Sequence, residues 1–158
     1  MMERYFNGLT EEEEKRKHEL LSMDIKDIAK LIRKELKKEF GKNIKFSVTI
    51  HRYSGGQSLN IKIKQVNKNL LITQKDFDKI YGKYNDVNAY NDYDPSYYDM
   101  ISKEFNKETK QYYFIKEEVL RKIKAIGNMY NYNYSCSMVD YFDVNYYLHV
   151  GGNKVEVI

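Results

Sequence analysis

Residues 24–64, DIKDIAKLIRKELKKEFGKNIKFSVTIHRYSGGQSLNIKIK, carry the strongest structural signal in the chain. Asp24 suits a helix N-cap, and apolar residues then recur at helical spacing. Gly41 suits the C-cap, and from Ile44 onward apolar and polar residues alternate with a period of two. A turn at residues 53–56 reverses the chain. The stretch therefore predicts one helix followed by one β-hairpin.

The same order of patterns returns near the end of the sequence. Apolar residues at helical spacing predict a helix over residues 114–129, and alternation over residues 132–148 predicts a second hairpin with its turn near Asp140. Two helix–hairpin units can share one sheet. The sequence thus predicts a two-layer α+β domain, in which an antiparallel sheet of about four to five strands carries the helices on one face.

The predicted organisation is an N-terminal arm with a short helix, residues 1–23, followed by a single α+β domain, residues 24–158. Within this domain the helix–hairpin units 24–66 and 114–158 flank an insert at 67–113 that is rich in tyrosine. A long irregular insert in a compact domain is usually functional or disordered, and tyrosine disfavours disorder. We therefore expect the insert to be ordered and to contribute to binding.

Capping residues predict two smaller helices. Thr10 precedes four glutamates, which favour the positive end of a helix dipole, and Thr73 with Asp76 resembles a capping pair. The first of these helices either continues into the helix at Asp24 or ends at Ser22.

Composition restricts the class of protein. The chain has 158 residues, 32% of them charged and 42% apolar, which is typical of a globular protein of one domain. A net charge of +4 disfavours an acidic DNA mimic. The single cysteine, Cys136, excludes an internal disulfide and favours a reducing compartment, and no apolar run approaches the ~20 residues of a membrane span. We predict a cytoplasmic protein of a host cell with no membrane partner, and the oligomeric state stays open.

The sequence predicts no catalytic, cofactor or metal site. Asp140 and His149 could join a metal site only if several turns converged, and turn capping is the more common role of such an aspartate. Asp92 begins a stretch that resembles a calcium loop but lacks the required glycine and glutamate. Cys136 has no spacing that identifies a nucleophile, and we interpret it as structural. Because no acid–base pair stands out, we expect a protein that is not an enzyme.

A basic helix face is the first candidate binding surface. Lysine and arginine faces supply the electrostatic part of nucleic-acid binding, although most such faces are simply solvated and Glu35 and Glu39 interrupt this one. The candidate residues of this face are Lys26, Lys30, Arg33, Lys34, Lys37 and Lys38.

The hairpin turns and the insert supply a second set of candidates, for contacts with a protein partner. Tyrosine and arginine are the residues that most often anchor protein interfaces. The alternatives are turn packing for the residues near the turns and a small accessory core for the insert tyrosines. The candidates are Arg52, Tyr53, Tyr90, Tyr93, Tyr97, Tyr98 and Asp140.

Two short stretches resemble a known family. KFSV at residues 45–48 with RYSGGQSL at 52–59 is similar to the start of a large polyvalent protein-associated domain, type twenty-nine, and YNYS at 132–135 with SMVDYFDV at 137–144 is similar to its end. The resemblance spans about residues 24–150. It implies a protein carried by a phage or a conjugative element, and it implies no catalytic residues.

These observations lead to two functional hypotheses. The first is an interaction protein of a mobile element that inhibits a host defence system, such as a CRISPR effector or another nuclease, by occlusion. Its partner would be a host defence protein or a protein–nucleic acid complex. The alternative is a nucleic-acid-binding module that uses the basic helix face together with tyrosine stacking.

Overall fold

The computed structural model describes residues 8–81, 105–106, 111–135, 143–152 and 155–158. In this part of the chain the helices are α1 (Glu11–Leu21), α2 (Ile25–Phe40), α3 (Gln74–Tyr81) and α4 (Glu117–Gly127). The strands are β1 (Ile44–Tyr53), β2 (Gly56–Val66), β3 (Leu71–Thr73), β4 (Phe105–Asn106), β5 (Gln111–Ile115), β6 (Tyr147–Gly151) and β7 (Glu156–Val157).

The capping predictions for the first two helices are confirmed. The backbone N–H of Glu13 donates to Oγ1 of Thr10 at 3.1 Å, and the backbone N–H of Lys26 donates to Oδ1 of Asp24 at 2.9 Å. Gly41 ends α2 at a φ of 54°, a conformation that glycine adopts without a steric penalty. Helices α1 and α2 are separate, because Asp24 adopts an extended backbone conformation between them.

The α+β class is confirmed, and the main sheet has β2 at its centre. Strands β1 and β2 are antiparallel from Ile44 opposite Val66 to Tyr53 opposite Gly56, with Lys64 as an extra residue in β2. Strands β6 and β7 both pair with the other edge of β2, and both run parallel to it. The sheet is therefore mixed, which corrects the prediction of a wholly antiparallel sheet. Antiparallel neighbours are required only where a tight turn joins two strands, and a long connection separates β2 from β6.

The described residues cover only part of the second predicted hairpin. Asn133 and Val144 form one antiparallel bridge, and residues 136–142, which would contain the turn, lie outside the described ranges. The helix predicted over residues 114–129 is also shorter than expected. Phe114 does not join α4, because it pairs with Ile72 across β5 and β3.

A smaller antiparallel sheet, in the order β3–β5–β4, lies beside the main one. The predicted cap of α3 is confirmed, as the backbone N–H of Asp76 donates to Oγ1 of Thr73 at 3.3 Å. Phe77 of α3 stacks on Phe114 of β5 with ring centroids 4.0 Å apart, and both rings are fully buried. This stack joins the smaller sheet to the core.

One hydrophobic core lies between the main sheet and the helices α2 and α4. Its fully buried aliphatic residues come from both layers: Ile28 and Ile32 of α2, Leu59, Ile61 and Ile63 of β2, and Ile123 of α4. Burial of this apolar surface is the main favourable contribution to folding. The predicted two-layer arrangement follows, with α2 and α4 on one face of the sheet.

Helix α1 attaches to the segment that leads into β6. Nζ of Lys17 lies 2.6 Å from Oδ2 of Asp143 and 5.4 Å from the centre of the Tyr132 ring. None of the helices in the described ranges has the length and apolar character required to cross a bilayer.

Candidate functional site

The tip of the β1–β2 hairpin carries two of the predicted partner-binding residues. Arg52 and Tyr53 are both exposed, Tyr53 to 43%. Nη2 of Arg52 lies 2.6 Å from Oδ1 of Asp24, so the N-cap of α2 also fixes this arginine. The backbone N–H of Lys26 and then the guanidinium of Arg52 lower the pKa of Asp24. The tip is therefore a short, ordered projection with an aromatic ring and a cation.

The structure exposes all six candidates of the basic face of α2. Its arginine, Arg33, turns back to donate from Nη2 to the carbonyl oxygen of Val48 at 2.7 Å, which caps the outer edge of β1. Of the two interrupting acids, Glu35 is half-buried and Glu39 lies 3.3 Å from Nζ of Lys122. The lysines consequently dominate the charge of the outer surface of α2.

A groove of ≈ 560 Å³ continues this basic surface onto the edge of β1. Its cations are Arg33, Lys37, Lys42 and Lys45, and its floor includes Phe46. Lys37 lies in the last turn of α2 and Lys42 follows the helix, so these two lysines also balance the negative end of the helix dipole. Stabilisation of α2 alone could therefore explain their position.

The opposite face of the main sheet carries three rows of residues, and we call it the open sheet face because, among the described elements, α2 and α4 both pack on the other face. Each row crosses β1, β2 and β6, as the strand registers show. The rows are Ser47–Lys62–Gly151, Thr49–Asn60–His149 and His51–Ser58–Tyr147.

Aromatic rings gather at the hairpin end of the open sheet face. The rings of His51 and Tyr53 have centroids 5.7 Å apart. A methyl group placed on Gly56 would lie 3.7 Å from Cε2 of both Tyr53 and Tyr147, so the two tyrosine rings flank this glycine. Tyr147 is 37% exposed. Tyr147 was not among the predicted binding residues, although its alternation with Leu148 indicates an outward side chain.

A second cavity, of ≈ 820 Å³, borders β6 and is lined partly by amide side chains. Two of its lining residues, Asn131 and Tyr146, are engaged in hydrogen bonds within the protein. Burial lowers the pKa of Lys124 at its rim. The cavity is therefore lined in part by groups that stabilise the fold.

Several predicted candidates lie outside the described ranges. They are Tyr90, Tyr93, Tyr97, Tyr98 and Asp140, together with Cys136. Among the described residues, no group of three or more His, Cys, Asp or Glu side chains could hold a metal ion.

Comparison with known proteins gives one match. The model of a protein family, described as large polyvalent protein associated domain 29, matches residues 23–125. No curated protein and no solved structure matches the chain. The matched residues include α2, the β1–β2 hairpin and most of α4, and they end before β6.

Proposed function

Because the chain belongs to the large polyvalent protein-associated domain 29 family, whose members are associated with phages and other mobile elements, we propose that it is a non-enzymatic interaction protein. Its target is a host defence protein, such as a CRISPR effector or another nuclease. It inhibits this target by covering a surface that the target needs.

The hairpin tip is the single observation that carries this proposal. Exposed Arg52 and Tyr53 are of the residue types that anchor interfaces, and the ion pair with Asp24 holds the arginine in place before binding. A preorganised contact loses less conformational entropy when the partner docks. The ladder of β1 and β2 continues to Tyr53 opposite Gly56, so the tip is supported to its last residue pair.

Affinity capture from a host lysate treated with nuclease tests the proposal. The tagged chain and its Arg52→Ala/Tyr53→Ala variant are compared side by side, and the captured protein is then assayed for inhibition. We expect the variant to lose at least about tenfold in affinity, because anchor residues carry most of the energy of an interface. Lys75→Ala/Lys79→Ala on the exposed side of α3 is the matched control.

The melting temperature of the variant decides how a loss of binding is interpreted. Both side chains are exposed, so we expect the variant to melt within a few degrees of the unaltered protein. A variant that captures and inhibits as well as the unaltered protein would contradict the proposal.

Nucleic-acid binding through α2 is the second candidate function, and the exposure of all six basic residues favours it. Lys30→Glu/Lys37→Glu should abolish binding of a duplex while α2 stays intact, since glutamate is a good helix former. Lys75→Glu/Lys79→Glu is the control, because it makes the same change in charge on α3. Binding through phosphates should also weaken steeply with salt, whereas an anchored protein interface should not. Unchanged binding of the α2 variant would exclude this surface.

A further inference from the structure

The three rows of the open sheet face carry positive charge. Strands β1, β2 and β6 contain no aspartate or glutamate, and they contribute lysines and imidazoles to this face. Lys62 and His149 are exposed there. Towards the end of β2 the exposed Lys45 and Lys64 add positive charge, and the exposed Glu156 of β7, in register with Gln65, adds one negative charge. A ligand that covers the three rows would therefore meet positive charge, with Glu156 beyond them at the end of β2.

The face is also divided into two chemical zones. The row of His51 and Tyr147 lies at the hairpin end, where Tyr53 adds a third ring. The row of Lys62 lies four residues further along the strand, about 13 Å away at the usual rise of a β-strand. One end consequently offers planar rings and the other end offers cations.

We propose that the open sheet face binds single-stranded nucleic acid. Unpaired bases stack on the rings around Gly56, and the phosphates that follow lie against Lys62 and its neighbouring lysines. Stacking on exposed aromatic rings together with backbone neutralisation is the general chemistry by which proteins bind single strands.

A single strand fits this surface better than a duplex or a protein does. The bases of a duplex are stacked on each other, so they cannot reach rings that project from a sheet. An acidic protein could contact the same lysines and rings, but planar rings beside cations match the alternation of bases and phosphates along a single strand. Apart from Lys45, which also lines the groove beside α2, the surface is separate from that of α2, because α2 packs on the other side of the sheet.

Fluorescence anisotropy with labelled oligothymidylate, and with a duplex of matched length, tests the proposal on the full chain. We expect the single strand to bind more tightly than the duplex. Tyr147→Ala should weaken single-strand binding about tenfold, which is the usual effect of removing one stacking ring. Tyr147→Phe should bind normally because it keeps the ring. Lys62→Glu should weaken binding and reduce its dependence on salt.

Lys75→Glu/Lys79→Glu is the matched control, since it makes the same kind of change in charge on α3, which packs on the smaller sheet, and should leave single-strand binding unchanged. Three results would overturn the proposal. The first is no measurable binding, and the second is binding that Tyr147→Ala leaves unchanged. The third is equal binding of both oligonucleotides that is lost only in Lys30→Glu/Lys37→Glu. If Tyr147→Ala melts early, His149→Ala replaces it, because that ring is exposed in the neighbouring row. Capture of a protein partner through Arg52 should be unaffected by Lys62→Glu, so this proposal and the proposed function can fail separately.

Discussion

The two helix–strand units reach the same sheet by different means. In the first unit, α2, β1 and β2, an uninterrupted apolar stripe meets a long antiparallel ladder, and the ion pair of Arg52 with Asp24 lies at the surface. In the second unit, α4 and β6, the strand is short and parallel, and side-chain hydrogen bonds fix the chain on either side of it. The first unit is thus specified by periodicity and the second by individual polar residues.

Two asparagines join the segment after α4 to the segment before β6. Nδ2 of Asn131 donates to the carbonyl oxygen of Tyr146 at 2.9 Å, and its Oδ1 accepts from the backbone N–H of Tyr132 at 3.0 Å. Nδ2 of Asn145 donates to the carbonyl oxygen of Tyr130 at 2.9 Å. Such bonds replace a regular ladder, since a buried backbone group without a partner would be costly.

The largest effect should come from the residue on which both units pack. Ile61 of β2 is fully buried and lies in register with Val48 of β1 and Val150 of β6. It also reaches α4, because its Cδ1 lies 3.0 Å from the position that a Cβ on Gly127 would take. Ile61→Ala should lower the free energy of unfolding by about 2–5 kcal/mol, because it leaves a cavity between the layers.

Urea denaturation of Ile61→Ala beside Ile50→Ala checks this expectation. Ile50 lies on the same sheet face but is only half-buried at the edge strand. If the two variants lose equal stability, the units are not joined through the centre of β2.

The next largest effect should be confined to the second unit. Asn131→Ala should cost about 1–3 kcal/mol, because it leaves the carbonyl oxygen of Tyr146 and the N–H of Tyr132 without their partner. Hydrogen exchange should show faster amide exchange in β6 than in β1. Asn133→Ala, at an exposed neighbouring position, is the control, and equal losses from both variants would contradict a specific role for Asn131.

The same difference explains how much of the fold the sequence could predict. The helix and hairpin of residues 24–66 were predicted nearly to their ends, because periodic patterns and caps are local signals. The direction of β6 could not be predicted, since it depends on contacts of Asn131 and Asn145 across about 15 residues of chain. Phe114 was predicted in a helix but lies in β5, because it pairs with Ile72, which is distant in the sequence.

The candidate site divides in a similar way. The position of Arg52 and Tyr53 at the hairpin tip followed from the turn predicted at residues 53–56, and the basic face of α2 followed from helical spacing. The contact of Arg52 with Asp24 and the approach of Tyr53 to Tyr147 are tertiary, so no local pattern could indicate them. Alternation along β6 places His149 and Leu148 on opposite sides of the strand, but it could not predict which strand lies beside them.

A smaller effect should follow the loss of one buried hydroxyl in the second unit. The hydroxyl of Tyr146 donates to the carbonyl oxygen of Gly127 at 2.6 Å, and Tyr146→Phe should cost about 1 kcal/mol. Burial raises the pKa of Tyr146 well above its ordinary value of 10.0. Its contribution to stability is therefore complete below pH 10 and is lost as the pH rises further, because the unfolded phenol ionises first.

Thermal unfolding at several alkaline pH values checks this expectation against Tyr53→Phe, whose ring is exposed. Tyr146→Phe should lose less stability than the unaltered protein between neutral and alkaline pH. Identical pH profiles for Tyr146→Phe and the unaltered protein would show that this phenol does not limit alkaline stability.

The smallest effect should come from the surface ion pair of the first unit. Asp24 and Arg52 are each about half exposed, and exposed pairs contribute little to stability because water and salt screen them. Asp24→Asn keeps an N-cap acceptor but removes the charge, so its melting temperature at neutral pH should stay close to that of the unaltered protein. Asp24→Ala removes the cap as well and should melt lower.

Acid titration separates the two roles of this aspartate. Because the native contacts lower the pKa of Asp24, the stability that its charge provides is present above the ordinary carboxyl value of 3.8 and is lost as the pH falls through the native value. Asp24→Asn should be insensitive to this part of the acid range. If Asp24→Asn instead destabilises the protein as much as Asn131→Ala does, the ion pair would be a main support of the first unit. The contrast between a unit held by its apolar pattern and a unit held by buried amides would then be wrong.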